Sequence, residues 1–561
     1  MKMSLQTHRY LVSSLCIFPV LLYVLFFSQI ATNINYIAYD DIVVLQIVEQ
    51  CKNATNLSQI LDYLTIGFPE HHIVFTRLIV LLMYALTGKV NLVCLMVVGN
   101  ILLGGQLWVF YQVFRQIRLP IIYFVPFCWI LINVHSFENM FWGTSSVGNF
   151  GVLFFVALSA YLYTHNIAKN INWALLCSTM ATFTYGNGLL AFFIGTFILT
   201  LTRQWHHLFK TTIVLVVVIG FYRLLGSNSY PNELDLTNLK NYGLILASFF
   251  GFLGASVNLS YQPYELWLAV VWGAVLFGII LWFLRQLWLP VFKMKWFNVA
   301  NFNAAQQFAL FLFLFVCLSA LGVAYKRLEN DGFIGMFKVR YSVYSAWLLA
   351  VAYLLWATNL EQQKKPKLAL IRFILPIVIA FNLIVFYYSV APAVNARRAA
   401  LAQEFNSVSN PDWIGLQMFD MTQTQFLDTR KLYSPALFFE KPAFVGQLSA
   451  TAPMRKWPLD SLYWKNGNLE IIWGKDFIRP QKDLDDGAYV LLKSSVHSYM
   501  AAGQQQKVPL KTFIRRGWYW DRGFWCSFGK NATAPDLYQV YVLIRQNGVN
   551  QMYDTDRRVR F

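Results

Sequence analysis

The chain has 561 residues, of which 57% are hydrophobic and 17% aromatic but only 13% charged, and its mean hydropathy is +0.46. Because soluble domains carry about 25% charged residues, this composition excludes an ordinary soluble protein and predicts a polytopic membrane protein. The formal net charge of +18 does not indicate nucleic-acid binding, since the Lys and Arg residues fall in short loops between apolar segments, where they set orientation in the bilayer.

Eleven apolar segments are predicted to cross the membrane, since a crossing helix needs ~20 apolar residues. These segments are 11–31, 90–114, 120–135, 147–164, 171–185, 187–202, 211–226, 262–284, 305–325, 341–359 and 368–390. Two further apolar segments, 73–88 and 240–259, sit beside long polar loops. We expect them to form helices in or against the outer membrane interface.

Loop charges predict the orientation of these eleven spans. One set of loops carries mainly cations: Arg115, Arg118, Lys169, Arg203, Lys210, Arg285, Lys293, Lys295, Lys364, Lys365 and Lys367. The other set carries the acids: Asp40, Asp41, Glu70, Glu138, Glu233, Asp235, Glu329 and Asp331. Because cationic loops stay in the cytoplasm, the N-terminus is predicted inside and the C-terminus outside.

The hydropathy pattern of the sequence changes beyond residue 391. No apolar span follows, and alternating runs such as 489–493 and 538–544 are separated by turn signals such as Asn466-Gly467-Asn468. These patterns are typical of strands. We therefore predict an α-helical membrane domain over 1–390, with a first outer loop at 32–89, and an extracytoplasmic β or α+β domain over 391–561.

The adjacent acids Asp40 and Asp41 are the first candidates for chemistry, since they follow the first span almost at once. They could be solvated loop acids, or a helix N-cap, just beyond the membrane. They could also supply a general base that takes a proton from an acceptor hydroxyl. Two adjacent side chains cannot easily point at one spot, so only one of the two acids should be the base. Asp40 is the predicted base. Asp41 is the second choice, free to orient the acceptor or to hold a divalent ion.

Three further polar clusters lie on the predicted outer side, each with a structural alternative. Glu70-His71-His72 opens an apolar segment, where an acid also favours the helix dipole. Glu138-Asn139, which Trp142 follows closely, is either an interfacial loop or part of a site. Asn187 stands between two glycines and marks either a tight turn or a site.

Lys338, Arg340 and Tyr341 open a span on the predicted outer side, against the orientation trend of the cations. One explanation is pairing with Glu329 or Asp331 in the preceding loop. The other is a phosphate at the bilayer surface, because Arg matches phosphate oxygens with two parallel hydrogen bonds and Lys acts as a point charge.

The order and sidedness of these motifs over about residues 1–390 resemble the GT-C glycosyltransferases. The motifs are Tyr39-Asp40-Asp41, Glu70-His71-His72, Arg77-Leu78, Glu138-Asn139, Trp142, Asn187-Gly188-Leu189 and Arg340-Tyr341. The resemblance implies an inverting enzyme of the bacterial inner membrane that moves a sugar from a polyprenyl-phosphate donor to a glycan or lipid acceptor.

The resemblance also implies roles for individual residues. Asp40 or Asp41 would be catalytic, and Arg340, Lys338 and Tyr341 would bind the donor phosphate. The residues expected to line the site or hold the acceptor are Glu70, His71, His72, Arg77, Glu138, Asn139 and Asn187. Participation of a divalent cation such as Mg²⁺ or Mn²⁺ is left open, with Asp41 and Glu138 as its carboxylate ligands.

Two other functions are kept as alternatives. A transporter or flippase for a lipid-linked glycan would place polar groups near the bilayer midplane, whereas here the predicted spans are nearly free of acids. A non-catalytic envelope-assembly protein would use the outer domain to bind a partner. Cys51 and Cys526 are the only two of the seven cysteines predicted outside the membrane, so they either form a disulfide or are two separate thiols.

Overall fold

A computed structural model describes residues 5–31, 41–68, 71–225, 237–260, 262–285, 302–363, 368–410, 455–456, 459–473 and 483–561. Among these residues the first helices are α1 (Leu5–Ala31), α2 (Asp41–Leu45), α3 (Ile47–Asn53), α4 (Leu57–Thr65), α5 (Val74–Thr87), α6 (Leu92–Phe114), α7 (Val125–Leu131), α8 (Phe137–Phe141) and α9 (Gly143–Thr164). They are followed by α10 (Ile167–Thr182), α11 (Leu190–Leu201), α12 (Trp205–Leu224), α13 (Leu239–Leu253), α14 (Pro263–Phe283), α15 (Ala304–Asp331), α16 (Ser342–Gln362), α17 (Leu368–Ser409) and α18 (Leu510–Arg516).

The prediction of a mostly helical, multi-pass membrane protein is confirmed. Each of the eleven predicted spans contains helix, and eight helices of the described residues are long and apolar enough to cross a bilayer. These eight are α1, α6, α9, α12, α14, α15, α16 with the turn before it, and α17. The predicted spans 120–135, 171–185 and 187–202 correspond to the shorter helices α7, α10 and α11, so the count of eleven stays a prediction.

The chain divides into two compact units. The first comprises 1–25, 47–82 and 94–386, and the second comprises 26–46, 83–93 and 387–561. The longest segment of the second unit thus begins at Tyr387, near the predicted boundary at residue 391, and the unit also contains two segments from the N-terminal quarter of the chain.

The first unit is a helical bundle in which α9, α15 and α16 are largely buried. A polar chain ties its centre together: the indole nitrogen of Trp347 donates to Gln106 Oε1 at 2.9 Å, and Gln106 Nε2 donates to the Phe150 carbonyl at 3.0 Å. Both side chains are fully buried, where an unmet hydrogen bond would be expensive. These bonds therefore fix α6, α9 and α16 in one arrangement.

Helices α13 and α14 form a close-packed hairpin. A Cβ atom at Gly254 would overlap the Ala269 carbonyl, and one at Gly273 would overlap the Phe250 carbonyl. Small residues allow this approach of two backbones. The segments 73–88 and 240–259, predicted to be helices at the outer interface, contain the helices α5 and α13. Helix α13 packs against α14.

The second unit contains the predicted C-terminal sheet region. Its strands are β1 (Arg455–Lys456), β2 (Ser461–Lys465), β3 (Asn468–Trp473), β4 (Gly487–Lys493), β5 (Ser498–Ala502), β6 (Phe524–Gly529), β7 (Leu537–Gln546) and β8 (Val549–Arg560). They form a five-stranded sheet of order β1-β8-β7-β4-β5 and a three-stranded sheet of order β2-β3-β6. All pairings are antiparallel except β1 with β8. Buried residues from both sheets share one apolar core.

The end of α17 covers one face of the larger sheet, where Leu401 and Phe405 pack with Tyr489 and Met552. Arg397 of this helix makes a two-pronged ion pair with Asp485, at 2.6 and 3.0 Å, and both side chains are buried. Its remaining nitrogen donates to the carbonyls of Gln29 and Ile30 at 2.8 Å. The charge is therefore compensated on all sides, as burial of an ion requires.

Candidate functional site

Arg340 is the centre of a polar cluster in the first unit. It lies in a 3-10 turn, Val339–Tyr341, that leads directly into α16. Its guanidinium carbon is 5.5 Å from the ring centres of both Trp142 and Tyr341. A guanidinium over an aromatic face is attracted by the ring quadrupole. The two rings therefore hold this cation in place without neutralising it.

A buried amide network fixes the backbone beneath this side chain. Asn139 Nδ2 donates to the Arg340 carbonyl at 2.7 Å, and Asn139 Oδ1 accepts from Asn149 at 2.9 Å and from Ser145 at 3.3 Å. Asn139 is fully buried. The turn that carries Arg340 is thereby tied to α8 and α9, which lie about 200 residues earlier in the chain.

Glu138 is the carboxylate of this cluster, and it accepts a hydrogen bond from the Arg340 backbone N–H. Burial raises the pKa of Glu138, while the cations of Arg340 and Lys338 and this hydrogen bond offset part of that rise. Desolvation of this carboxyl therefore outweighs its two positive neighbours. Glu138 and Arg340 form one electrostatic unit.

Lys338, two residues earlier, has a different partner. Its ammonium lies 2.6 Å from Asp331 Oδ2, and both side chains are partly exposed. Of the two explanations for the outer cations, pairing with a loop acid therefore holds for Lys338. Such a partly solvated pair contributes little stability.

Tyr185 connects His71 to the Arg340 cluster, although no pattern in the sequence identifies it as a site residue. It is an electrostatic neighbour of Arg340, and its ring meets the His71 ring edge to face at 5.1 Å. A Cβ atom at Gly148 would overlap the Tyr185 ring, so glycine there leaves room for the tyrosine. Only the packing of α9 against the chain after α10 identifies this residue.

Asn187 lies in the 3-10 turn Gly186–Leu189 between α10 and α11. Its amide donates to Ser319 Oγ at 3.2 Å and to Tyr344 Oη at 3.1 Å. Tyr344 and Tyr341 each lie 5.3 Å from the Phe252 ring. Asn187 therefore contacts the turn of α16 that follows the Arg340 cluster. Its neighbour Gly188 approaches the Ala181 carbonyl too closely for a Cβ atom.

His72 and Arg77 are engaged with the end of α4. Arg77 Nη1 donates to the carbonyls of Leu64 and Ile66 at 3.0 and 2.5 Å, and His72 Nδ1 lies 2.6 Å from the Thr65 carbonyl. Both side chains are buried. These contacts satisfy the last carbonyls of a helix, where a cation is also favoured by the dipole.

The predicted base and its loop are only partly described. Asp40 and Glu70 lie outside the described residues. Asp41 is the first residue of α2, is fully buried and belongs to the second unit. Glu138 belongs to the first unit.

No group of three His, Cys, Asp or Glu side chains that could hold a metal ion occurs among the described residues. The structure therefore adds no support for the divalent cation that the sequence left open.

The disulfide considered for Cys51 and Cys526 is absent, and both are free thiols. Cys526 lies on β6 opposite Ile471, in the shared core of the two sheets. Its side chain points between the sheets, which is why it is buried although it is predicted to lie outside the membrane.

Comparison with known proteins yields no relative: no protein-family model matches the chain, and no curated protein and no solved structure does.

Proposed function

We propose that this protein is a membrane glycosyltransferase that moves a sugar from a polyprenyl-phosphate donor to an acceptor at the extracytoplasmic face, with inversion. The acceptor class is a lipid-linked glycan, an O-antigen or another cell-envelope polymer. The observation that supports the proposal most is the Arg340 cluster, in which the Trp142 and Tyr341 rings lie against one guanidinium, Glu138 is its acidic neighbour and Asn139 holds its backbone.

The cluster has the properties that a phosphate requires. Arg340 precedes the first turn of α16, a helix of 21 residues, and the N-terminal end of a helix favours an anion. A guanidinium offers two parallel donors to phosphate oxygens. Because Asn139 holds the backbone of Arg340, little conformational freedom is left to lose when the donor binds.

The reaction is a displacement at the anomeric carbon. The acceptor oxygen forms a bond to that carbon while the bond between the carbon and the phosphate oxygen breaks, and the electron pair leaves with the phosphate. The acceptor proton passes to a carboxylate. Arg340 stabilises the negative charge that develops on the departing phosphate.

The proposal assigns the proton acceptor to Asp40, with Asp41 as the second choice, because both follow the first span. Glu138 has a different role. It accepts from the Arg340 backbone and positions the cation, so its loss would act through Arg340.

The test is binding of a polyprenyl phosphate to the purified full-length protein, measured by native mass spectrometry. Arg340→Ala should weaken binding about 10- to 100-fold, because a hydrogen bond to a charged group contributes about 1.5–3 kcal/mol. The affinity of Arg340→Lys should lie between those of Arg340→Ala and the unchanged protein, since lysine keeps the charge and loses the two parallel hydrogen bonds of the guanidinium. Lys338→Ala should have a smaller effect because Lys338 is paired with Asp331.

Arg285→Ala is the matched control, since Arg285 also lies over an aromatic ring, Trp282, at 4.6 Å, and follows the C-terminal end of α14. Its affinity should equal that of the unchanged protein. Equal affinity in Arg340→Ala would overturn the phosphate assignment. Binding that depends on Arg340 without sugar transfer to any acceptor fraction would favour a flippase instead.

A further inference from the structure

A second surface of unusual composition lies in the second unit, at residues 507–522 between β5 and β6, and is called here the basic-aromatic loop. It contains the short helix α18 and carries five cations against one acid, Asp521. The cations are Lys507, Lys511, Arg515, Arg516 and Arg522. Two large apolar side chains point into solvent among them, with 74% of Ile514 and 47% of Trp518 exposed.

Contacts within the second unit place this loop against one short stretch of α17. Tyr387 Oη donates to the Val508 carbonyl, and Tyr519 Oη donates to the Tyr387 carbonyl at 2.7 Å. The Tyr387 ring also packs 5.1 Å from the Phe513 ring. Lys507 lies 4.1 Å from the centre of the Tyr388 ring. The loop is thus fixed at Tyr387 and Tyr388.

From hydropathy we expect α17 to leave the bilayer near those two tyrosines. The apolar run of α17 begins after the cations Lys364, Lys365 and Lys367 and ends near residue 390, which is the ~20 residues that one crossing needs. The residues that follow, Arg397 among them, are engaged with the sheet region. Tyrosines are enriched where a helix meets the headgroups.

We propose that the basic-aromatic loop is a membrane-contacting surface that lies on the anionic phospholipid headgroups of the leaflet from which α17 emerges. Ile514 and Trp518 enter the headgroup boundary, and the lysines and arginines bind lipid phosphates. An amphipathic segment of this composition buries its apolar side about 5–10 Å into that boundary. The C-terminal unit is thereby held against the bilayer by lipid contacts in addition to α17.

Charge and position together select a lipid surface over a protein partner. Five cations against one acid complement an anionic leaflet, and nearby Lys and Arg each strengthen that attraction. The surface is attached to a membrane-crossing helix at headgroup level, so lipid is present at high local concentration. A protein partner is the alternative that the experiment below distinguishes.

The experiment labels the full-length protein in proteoliposomes that contain phosphatidylglycerol and a lipid with a spin label at the headgroup boundary. Ile514→Cys carries a fluorophore, and Val496→Cys is the matched control. Val496 is also exposed, at 70%, but it lies beyond Ser498, which pairs with Asn410. Asn410 directly follows the end of α17 at Ser409, which is separated from Tyr387 by roughly 33 Å of helix, so we expect position 496 to lie far from the bilayer. The unsubstituted protein, treated in parallel, gives the background from its own cysteines.

Quenching by the spin-labelled lipid is expected to be at least about threefold stronger at position 514 than at 496, because only the former lies within the roughly 10 Å boundary layer. The double variant Arg515→Glu, Arg516→Glu should reduce quenching at 514 in anionic vesicles while quenching at 496 stays unchanged. Both arginines are exposed, and near-native amide exchange in β4 and β7 would show that the variant folds.

Equal quenching at the two positions would overturn the proposal, and so would quenching at 514 that the charge reversal leaves unchanged. Protection of 514 without lipid quenching would indicate a protein partner instead.

Discussion

At the scale of single residues, Lys338 and Arg340 differ although only one residue separates them. Lys338 is ion-paired with Asp331 at the edge of the first unit, whereas Arg340 is held by two aromatic rings and a buried carboxamide network. Sequence reasoning offered both explanations for both cations. Because Lys338 already has an acidic partner, Arg340 is the cation that we propose as the phosphate ligand.

The assignment of Asp40 as base leads to a prediction at this scale. Asp40→Asn keeps the side-chain volume and removes the basicity, so sugar transfer should fall about 10²- to 10⁴-fold. Asp41→Asn should reduce the rate less. The measurement is the rate of transfer by correctly inserted protein with an unlabelled acceptor and a labelled donor.

Asp62→Asn provides the control, because Asp62 is an exposed acid of α4 in the same predicted outer loop. Its rate should be unchanged. Near-normal transfer by both Asp40→Asn and Asp41→Asn would refute a carboxylate base in this loop.

At the scale of elements, the α13–α14 hairpin depends on two glycines. Gly273→Ala places a methyl group onto the Phe250 carbonyl, and this overlap requires the helices to separate. We expect lower thermal stability in detergent, measured by the fraction that remains monodisperse after heating.

Gly278→Ala lies on the same helix with nothing within 4 Å of the added Cβ atom. This control should be neutral or slightly stabilising, because alanine is a better helix former by about 1 kcal/mol. If the two variants have equal stability, close packing at Gly273 is not what holds the hairpin.

A second element-scale feature is how α17 covers an exposed sheet edge. Strand β5 is terminal in its sheet, and unpaired edges invite aggregation. The side-chain amides of two asparagines bond to the backbone of this strand. Asn406 accepts from the Met500 N–H at 2.6 Å and donates to the Met500 carbonyl at 2.9 Å. Asn410 accepts from the Ser498 N–H at 2.9 Å and donates to the Ser498 carbonyl at 2.7 Å. Asn395, earlier on α17, makes the same two hydrogen bonds with Gln505, which follows β5.

Asn406→Ala removes one of these pairs and leaves the Met500 peptide without its partner. Amide exchange in β5 should accelerate about tenfold, since an unmet buried hydrogen bond costs about 1–3 kcal/mol. The measurement is hydrogen exchange of the full-length protein followed by mass spectrometry. Gln403→Ala, an exposed position on the same helix, should leave the exchange of β5 unchanged. If both variants exchange alike, the asparagines do not protect the edge.

At the scale of the whole molecule, orientation is the prediction on which the chemistry depends. The loop cations predict that the N-terminus lies inside and the C-terminus outside. A reporter enzyme fused after Phe561 should therefore be active only in the extracytoplasmic compartment. A truncated fusion after Gln204, in a loop predicted to be cytoplasmic, is the control with the opposite outcome. Cytoplasmic activity of the full-length fusion would remove the acceptor side that the proposed function requires.

The sequence alone determined the helical, multi-pass class and the strand-rich C-terminal region. Hydropathy and alternation are local properties, and backbone hydrogen bonds inside a bilayer must be met within each segment. All eleven apolar segments accordingly contain helix. The same local signals named Arg340, Glu138, Asn139 and Asn187 as candidates, because polar residues stand out against apolar spans.

Only the tertiary structure decided how these candidates are used. Asn139 meets the Arg340 carbonyl across 201 positions, and Tyr185 joins the cluster through helix packing that no local pattern records. The tertiary structure also places Cys526 inside the core between the two sheets. It brings the side chains of His72 and Arg77 within hydrogen-bonding distance of the carbonyls at the end of α4. Such contacts depend on which helix faces and strand faces meet, and that is set by burial and shape over the whole chain rather than by neighbouring residues.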